Sequence, residues 1–505
     1  MFENPKIIID ALNIMAAIFV CCVGIILGAL AIVYLIDRTQ SKDAVRHNYP
    51  ILGRFRNIFI TLGEFFRQYF FAMDREELPF NRAERNWVYN AAKNGDTTIA
   101  FGSTKVISVP GTAIFVNCPF PTLETNAAKT KPFIIGPYAQ KPYAAKSIIN
   151  ISGMSFGAIS APAVLALSKG AKMAECWMNT GEGGLSPYHL QGGADIIFQI
   201  GTAKYGVRTA DGGLDDQKLL AIAAHEQVKM FEIKFSQGAK PGKGGILPAV
   251  KVTPEIASIR GIPVGEDSIS PNGHPEVNSV AQMLDFIAHV RTITGKPTGL
   301  KAVLGAYGWV ESLCAEINKR GPESAPDFFT LDSGDGGTGA APMALMDSVG
   351  LSIRESLPMI YDIFEAYGLE KRIPINASGK LLTPADVAWA LCAGATFVHI
   401  ARGFMFSLGC IQALKCNKNT CPTGITTHNK YLQSGLNPED KSVKVANYAM
   451  NLRHEVEVIA HSCGVHEPRE LARYHVRIVQ PNGRSVPMDE LYRHQPAIRS
   501  KSANQ

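Results

Sequence analysis

Apart from adjacent Cys21 and Cys22, paired cysteines are missing from this chain. Its ten cysteines include no Cys-x-x-Cys spacing, whereas a secreted disulfide framework or a four-ligand zinc knuckle normally shows paired spacings. The scatter points to a reducing compartment instead. No arginine–aromatic cluster suggests nucleic acid, and the net charge of +6 is spread along 505 residues, so nucleic acid is not an expected partner. Charge as a whole is sparse. With 19% of residues charged and 46% apolar, the balance is that of a globular protein with extra apolar material. The length exceeds what one ordinary core needs, so one large domain with additions, or two domains, is expected.

The extra apolar material is at the front. "IMAAIFVCCVGIILGALAIVYLI", Ile14 to Ile36, carries no charge; as a helix it would be about 35 Å long, enough to cross a bilayer. A cleaved signal peptide and a buried helix are the alternatives. "ALA" at 29 to 31 resembles a cleavage site, but apolar residues continue past it, and neither a basic cluster nor a twin-arginine pair precedes it. An uncleaved anchor is therefore expected. Lys6 is offset by Glu3 and Asp10 before the run, whereas Arg38, Lys42, Arg46, Arg54 and Arg56 follow it. Excess Lys and Arg stays cytoplasmic, which predicts a single pass through the cytoplasmic membrane with the remaining chain facing the cytoplasm.

The boundaries read from sequence are an anchor over 1–37, a helical N-terminal extension with its connector over 38–130, a main domain over 131–480 and a tail over 481–505. Residues 50 to 90 mix aromatic and basic side chains, as in "FRNIFITLGEFFRQYFFAMD". That composition suits an interfacial helix on the bilayer surface or, the reading preferred here, a scaffold helix on the main domain. Beyond a Pro/Thr/Asn-rich passage near 118–132, short apolar runs recur at 147–152, 172–178, 194–200, 230–235, 298–304, 326–332, 372–378 and 396–401. Helix-like stretches such as "SVAQMLDFIAHVRTI" and "TPADVAWALCAGA" separate several of them. Alternation of this kind implies parallel strands, and eight units predict an α/β protein with a closed (β/α)8 TIM barrel. A doubly wound open sheet is the alternative, but no GxGxxG follows the first strand. Residues 236–280 are too many for a simple loop and are expected to form an excursion over the active face.

Nearly every candidate strand runs into glycine, serine or charge: "SGMSFGAIS", "NTGEGG", "SQGAKPGKGG", "GDGGTGA", "GKLLTP" and "RGF". In such barrels the C-terminal strand ends build the active site, and the loops after strands seven and eight often hold a phosphate. Gly379, Lys380 and Gly403 stand at those two ends, where glycine lets backbone N–H groups approach phosphate oxygens. Late in the chain "GCIQALKCNKNTCPTG" spaces Cys410, Cys416 and Cys421 as Cys-x5-Cys-x4-Cys. Three structural cysteines, a zinc site completed by His428, and an iron–sulfur cluster with thiolate ligands all remain open on spacing alone.

The segments "GMSFGAIS", "NTGEGG", "IKFSQGAKPGKGG", "VTPEIASIRG", "DGGTGAAP" and the cysteine stretch, in this order, closely resemble the synthase domain of glutamate synthases over roughly residues 95–475. The N-terminal anchor is similar to that of a membrane-anchored bacterial subgroup, FMN-binding and glutamate synthase-like. The resemblance implies FMN at the barrel mouth, held by Met154, Ser155, Lys301, Gly336, Gly337, Ser378, Gly379, Lys380, Arg402 and Gly403. It implies a [3Fe-4S] cluster on Cys410, Cys416 and Cys421, and substrate contacts from Glu182, Gln237, Lys240 and Arg260. Glu182, Lys240 and Lys301 would carry the chemistry, the reductive amination of 2-oxoglutarate with ammonia to glutamate. Lys301 would stabilise negative charge on the reduced flavin.

Two departures bear on the substrate. The family's "GGQLP" is "GGILP" here, placing Ile246 at a substrate-contacting position, and its "SGHDGGTG" is "DSGDGGTG", with Gly334 in place of histidine. Neither a glutamine-hydrolysing domain nor room for an NADPH-binding one is read in the sequence. Ammonia is thus expected from elsewhere, and electrons from a separate donor such as ferredoxin or a reductase subunit. The alternative is a membrane-linked flavin oxidoreductase acting on another amino or oxo acid.

Overall fold

The computed structural model describes residues 5–40, 44–127 and 130–492; Glu3, Lys42 and the tail from 493 lie outside the described residues. The chain divides into two compact units, Met1–Ala83 and Glu84–Gln505.

In the first unit the apolar run forms one helix, α1 (Pro5–Thr39), followed by α2 (Ala44–Asn48) and α3 (Leu52–Phe66), which runs into a π-helical turn, Arg67–Phe71. Ile8–Thr39 is long and apolar enough to cross a membrane. Where α1 ends, Asp37 is fully buried: it accepts from Arg46 at 2.7 Å, from Arg54 at 2.8 Å and from the Ile51 N–H at 3.1 Å. This carboxylate ties the end of α1 to the start of α3. The next helix, α4 (Arg82–Ala92), buries Val88, Ala91 and Ala92. Within the second unit, Asn451 and Asn447 donate to the Ala91 and Ala92 carbonyls at its end, at 2.8 and 3.1 Å.

The second unit is built on eight parallel strands, β1 (Ile149–Ile151), β2 (Met178–Asn179), β3 (Ile196–Ile200), β4 (Val228–Lys234), β5 (Thr298–Val303), β6 (Phe329–Asp332), β7 (Ile375–Ser378) and β8 (Phe397–Ile400). Each pairs with its neighbours in sequence, and β8 closes on β1 with Ile400 opposite Ile151. The expected (β/α)8 TIM barrel is the observed fold. These strands read as nearly continuous apolar runs because both faces are covered, by helices outside and by the barrel core within. The second run departs furthest from its expected extent. Helix Ala161–Met173 reaches into it, leaving only Met178 and Asn179 in the barrel.

The helices start where the sequence supplies caps. The Ser279 hydroxyl accepts from Gln282 N–H at 3.2 Å, and Thr383 forms a capping box with Asp386 ahead of Pro384–Cys392. At the N-terminal end of the barrel a hairpin, Phe133–Ile135 with Tyr143–Ala145, packs on Trp177, Ile197, Met230, Phe328 and Phe397. The centre is polar instead. Glu232, fully buried, accepts from Asn179 at 2.8 Å, Gln199 at 2.6 Å and Thr330 at 2.5 Å. A buried carboxylate is tolerable only with such donors around it.

Candidate active site

The strand ends carry charge that the barrel folds together. Lys234, last residue of β4, places its ammonium 3.1 Å from Glu182, in the loop after β2, and also donates to Gln237 Oε1. Gln237 reaches Thr338 at 3.5 Å, and Lys240 donates to the Ala340 carbonyl at 3.2 Å. Arg260 ends a short helix, Pro254–Arg260, in the 236–280 excursion, where Thr253 caps the start and Gly261 terminates in the left-handed region. Its guanidinium donates to Ser268 at 3.1 Å and to the Phe156 carbonyl at 3.2 Å, and lies over the Tyr205 ring. Its Nε is buried with no hydrogen-bond partner. All four residues expected to contact substrate, Glu182, Gln237, Lys240 and Arg260, thus lie on or beside one face of the barrel.

The electrostatics of this cluster follow from burial and proximity. Burial pushes the Glu182 carboxyl up, yet Lys234, Lys240 and Arg260 together hold it below its usual range. Lys240 is pushed down to about 8, by burial first and then by Lys234 and Lys243, against the opposing pull of Glu182. Its ammonium is therefore present below about pH 8 and lost above it. Affinity for an anion bound here should fall about tenfold as pH rises through that value, the ~1.5 kcal/mol of one charge-assisted hydrogen bond. Titration of a dicarboxylate against wild type and Lys240→Gln checks this: the variant should bind weakly at every pH and lack the step.

Beside this cluster stands Lys301 on β5. Its ammonium is 3.2 Å from Asp332, at the end of β6, and both side chains are only 7% exposed. Burial disfavours the charge, but Asp332 and Glu232 outweigh it and raise the lysine pKa. Asp332 also accepts from the Gly238 N–H at 3.0 Å. Further round, Lys380 follows Ser378 and Gly379 at the end of β7 and pairs with Asp335 at 2.8 Å. The backbone turns sharply here. Lys380 has φ +52° and Gly379 φ +131°, where a Cβ would lie 2.2 Å from that of Ser333. Gly336 and Gly337 share the Asp335 loop; a Cβ on Gly337 would sit 3.0 Å from Arg402 Nε. Gly403 has a packing reason of its own, since a Cβ there would lie 2.2 Å from the Tyr448 hydroxyl. Met154 and Ser155 follow β1 and abut "NTGEGG": a Cβ on Gly181 would lie 2.6 Å from Ser155 N.

The cysteine loop approaches the same rim. Buried Lys251 donates to the Ala158 carbonyl, just past Met154 and Ser155, at 2.6 Å and to the Cys416 carbonyl at 3.3 Å. Tyr89 of α4 donates to the Cys410 carbonyl at 2.5 Å. Burial raises Cys410 to about 12, helped by Cys416 and Cys421 nearby. All ten cysteines are free thiols. Among the described residues no group of three or more His, Cys, Asp or Glu side chains is arranged to hold a metal ion. The Nε2 of His428, the residue suggested as a fourth zinc ligand, lies 2.8 Å from the Gly157 carbonyl.

Four residues escaped the sequence reading: Lys234, Lys251, Asp332 and Tyr89. A charged residue ending an apolar run was a usable signal for Lys234 and Asp332. Nothing local marked Lys251 or Tyr89, whose partners lie far away in sequence. The Gly334 departure also has a structural counterpart, for a Cβ there would lie 2.3 Å from the Gly350 carbonyl oxygen.

Residues 114–466 match the family model described as the conserved region in glutamate synthase. The chain is 37% identical, over 94% of its length and 99% of the relative's, to the glutamate synthase large subunit-like protein YerD of Bacillus subtilis. It is 34% identical to an archaeal glutamate synthase (NADPH) of Methanocaldococcus jannaschii, over 64% of this chain and 60% of that protein. Among solved structures, the flavin-binding domain of baker's yeast flavocytochrome b2 aligns with a TM-score of 0.43 at 14% identity, over 84% of this chain and 86% of that one.

Proposed function

Since the chain belongs to the glutamate synthase family and is an oxidoreductase of that type, we propose that it forms glutamate from 2-oxoglutarate and ammonia with FMN and a three-iron cluster, drawing electrons from a separate donor. The carrying observation is Glu182, a carboxylate kept ionised at the barrel mouth beside Lys234, Lys240 and Arg260. A dicarboxylate needs cations, and arginine and lysine supply them as a planar fork and a point charge. Arg260 and Lys240 would bind the two carboxylates. Glu182 would face the imino nitrogen formed when ammonia displaces the oxo oxygen as water, favouring its protonated form.

When bound, FMN supplies hydride transfer to C2 of that imine and the cluster supplies one-electron transfer. The residues at the barrel mouth suit the flavin. Lys301, locked to Asp332 and buried, offers a fixed positive charge to a reduced flavin ring; Gly379, Lys380 and Arg402 offer a sharp turn and cations to its phosphate. Cys410, Cys416 and Cys421 would supply the three thiolates of the cluster, with Cys416 and Cys421 near enough to Cys410 to raise its pKa. α1 is read as an anchor in the cytoplasmic membrane, with the catalytic unit in the cytoplasm.

A second reading keeps the cofactors and changes the oxo acid. It rests on Ile246, next to Gly245, whose Cβ position falls 2.0 Å from Glu182 Oε1. An apolar side chain where the family carries glutamine offers a substrate no polar contact. One experiment separates the two. Detergent-purified protein, reduced without air, is mixed with ammonium and a panel of oxo acids while flavin absorbance is followed. Reoxidation by 2-oxoglutarate about tenfold faster than by the other acids, with glutamate as product, is the expected result. A faster monocarboxylate would establish the second reading, and protein isolated without flavin would overturn both.

A further inference from the structure

The α3 helix of the first unit is not absorbed by this function. Its sequence sets Leu52, Phe55, Phe59, Leu62 and Phe66 at i, i+3 and i+4 intervals, one stripe of a helix. All five are exposed, Leu52 by 68% and Phe59 by 66%. Arg54 and Thr61 fall on the opposite side, Arg54 turned into the Asp37 pair. The stripe is continued through the π-helical turn by exposed Phe70, 5.6 Å from the Phe66 ring.

We propose that α3 lies in the surface of the same bilayer that α1 enters, with this stripe among the acyl chains. The proposal rests on reading α1 as a span. Two observations choose lipid as the occupant. The first is continuity: Asp37 sits at the end of the apolar run and bonds Arg46, Arg54 and the Ile51 N–H, so α3 begins where the span must leave hydrocarbon. Gly53 permits the turn, since a Cβ there would lie 2.9 Å from Arg46 Cα. The second is charge. Arg46 and Arg54 pair with Asp37, and Arg38 donates to the His47 carbonyl beside them, an excess of cations among the described residues of this junction that matches anionic headgroups. An exposed apolar stripe that starts beside a cluster of arginines is the pattern of a helix lying in the interface plane.

The test uses the full chain in vesicles of phosphatidylcholine and phosphatidylglycerol brominated at a shallow or a deep acyl position. Phe59→Trp fluorescence, after subtraction of the parent's, should be quenched at least twofold more by shallow than by deep bromine, with Phe55→Trp behaving alike. Thr61→Trp should be quenched little, and Ile26→Trp, mid-way along α1, should favour deep bromine. Equal quenching of Phe59→Trp and Thr61→Trp, with Ile26→Trp still deep, would overturn the interfacial helix and leave the span intact. An unquenched Ile26→Trp would overturn the span and this proposal with it. Phe59→Trp shielded from bromine only when chains are crowded would mean that another copy covers the stripe, which also overturns it.

Discussion

Lys301→Met is expected to destabilise the barrel unit by about 3–5 kcal/mol, because removing one partner of a buried ion pair leaves the other charge uncompensated. The stranded groups are Asp332, 3.2 Å from the ammonium, and Glu232 beneath it. The sign with pH is fixed by the direction of the shift. A lysine whose pKa is raised on folding stabilises fully below the ordinary value of 10.5, and loses that contribution only as pH rises through its folded value. The deficit of the variant should therefore be complete at neutral pH and narrow only as pH rises through the folded value of the lysine. Urea unfolding midpoints of wild type and variant at several pH values measure it. The double variant Lys301→Met with Asp332→Asn should recover part of the loss, since the stranded charge goes too. A single variant as stable as wild type would show that the pair adds nothing.

Cys416→Ser or Cys421→Ser should remove nearly all protein-bound iron while flavin stays in place. Serine keeps the shape of cysteine, but its hydroxyl does not ionise near neutral pH and is a hard ligand, so it does not replace a thiolate on iron. Reduction by an external protein donor should fall by about a thousandfold or more, a loss of at least ~4 kcal/mol in the barrier. Photoreduction of the flavin, which needs no cluster, should survive. His428→Ala is the control: with its Nε2 turned to the Gly157 carbonyl, it should leave the metal content unchanged. Iron and flavin measured on each variant decide the matter. Full iron in both cysteine variants would contradict the ligand assignment, and zinc lost from His428→Ala would revive the four-ligand alternative.

The barrel was legible because covered parallel strands leave a coarse mark, an apolar run broken by glycine or charge at the end that carries function. The mark blurs where a helix abuts a strand without a polar gap. In "KMAECWM" the helix ends at Met173, so most of the run is not strand. The site was legible only through motif resemblance. A lysine pointing into a barrel, such as Lys234 or Lys301, looks in sequence like one pointing out to water. What separates them is an acid brought close by folding, Glu182 for one and Asp332 for the other. Lys251 and Tyr89 hold main-chain carbonyls of distant loops, and no local pattern announces a side chain that serves a remote backbone. The 52–66 stretch carried its own periodicity plainly, but periodicity does not say whether protein or lipid covers the stripe.

The contact between Gly334 and Gly350 couples the two loops. A side chain at 334 would strike the Gly350 carbonyl, and Gly350 itself has φ +94°, a conformation other residues rarely adopt. The two positions are therefore not free to drift separately. A histidine at 334 fits only where the 350 segment has moved aside, so a change from glycine to histidine calls for a compensating shift there.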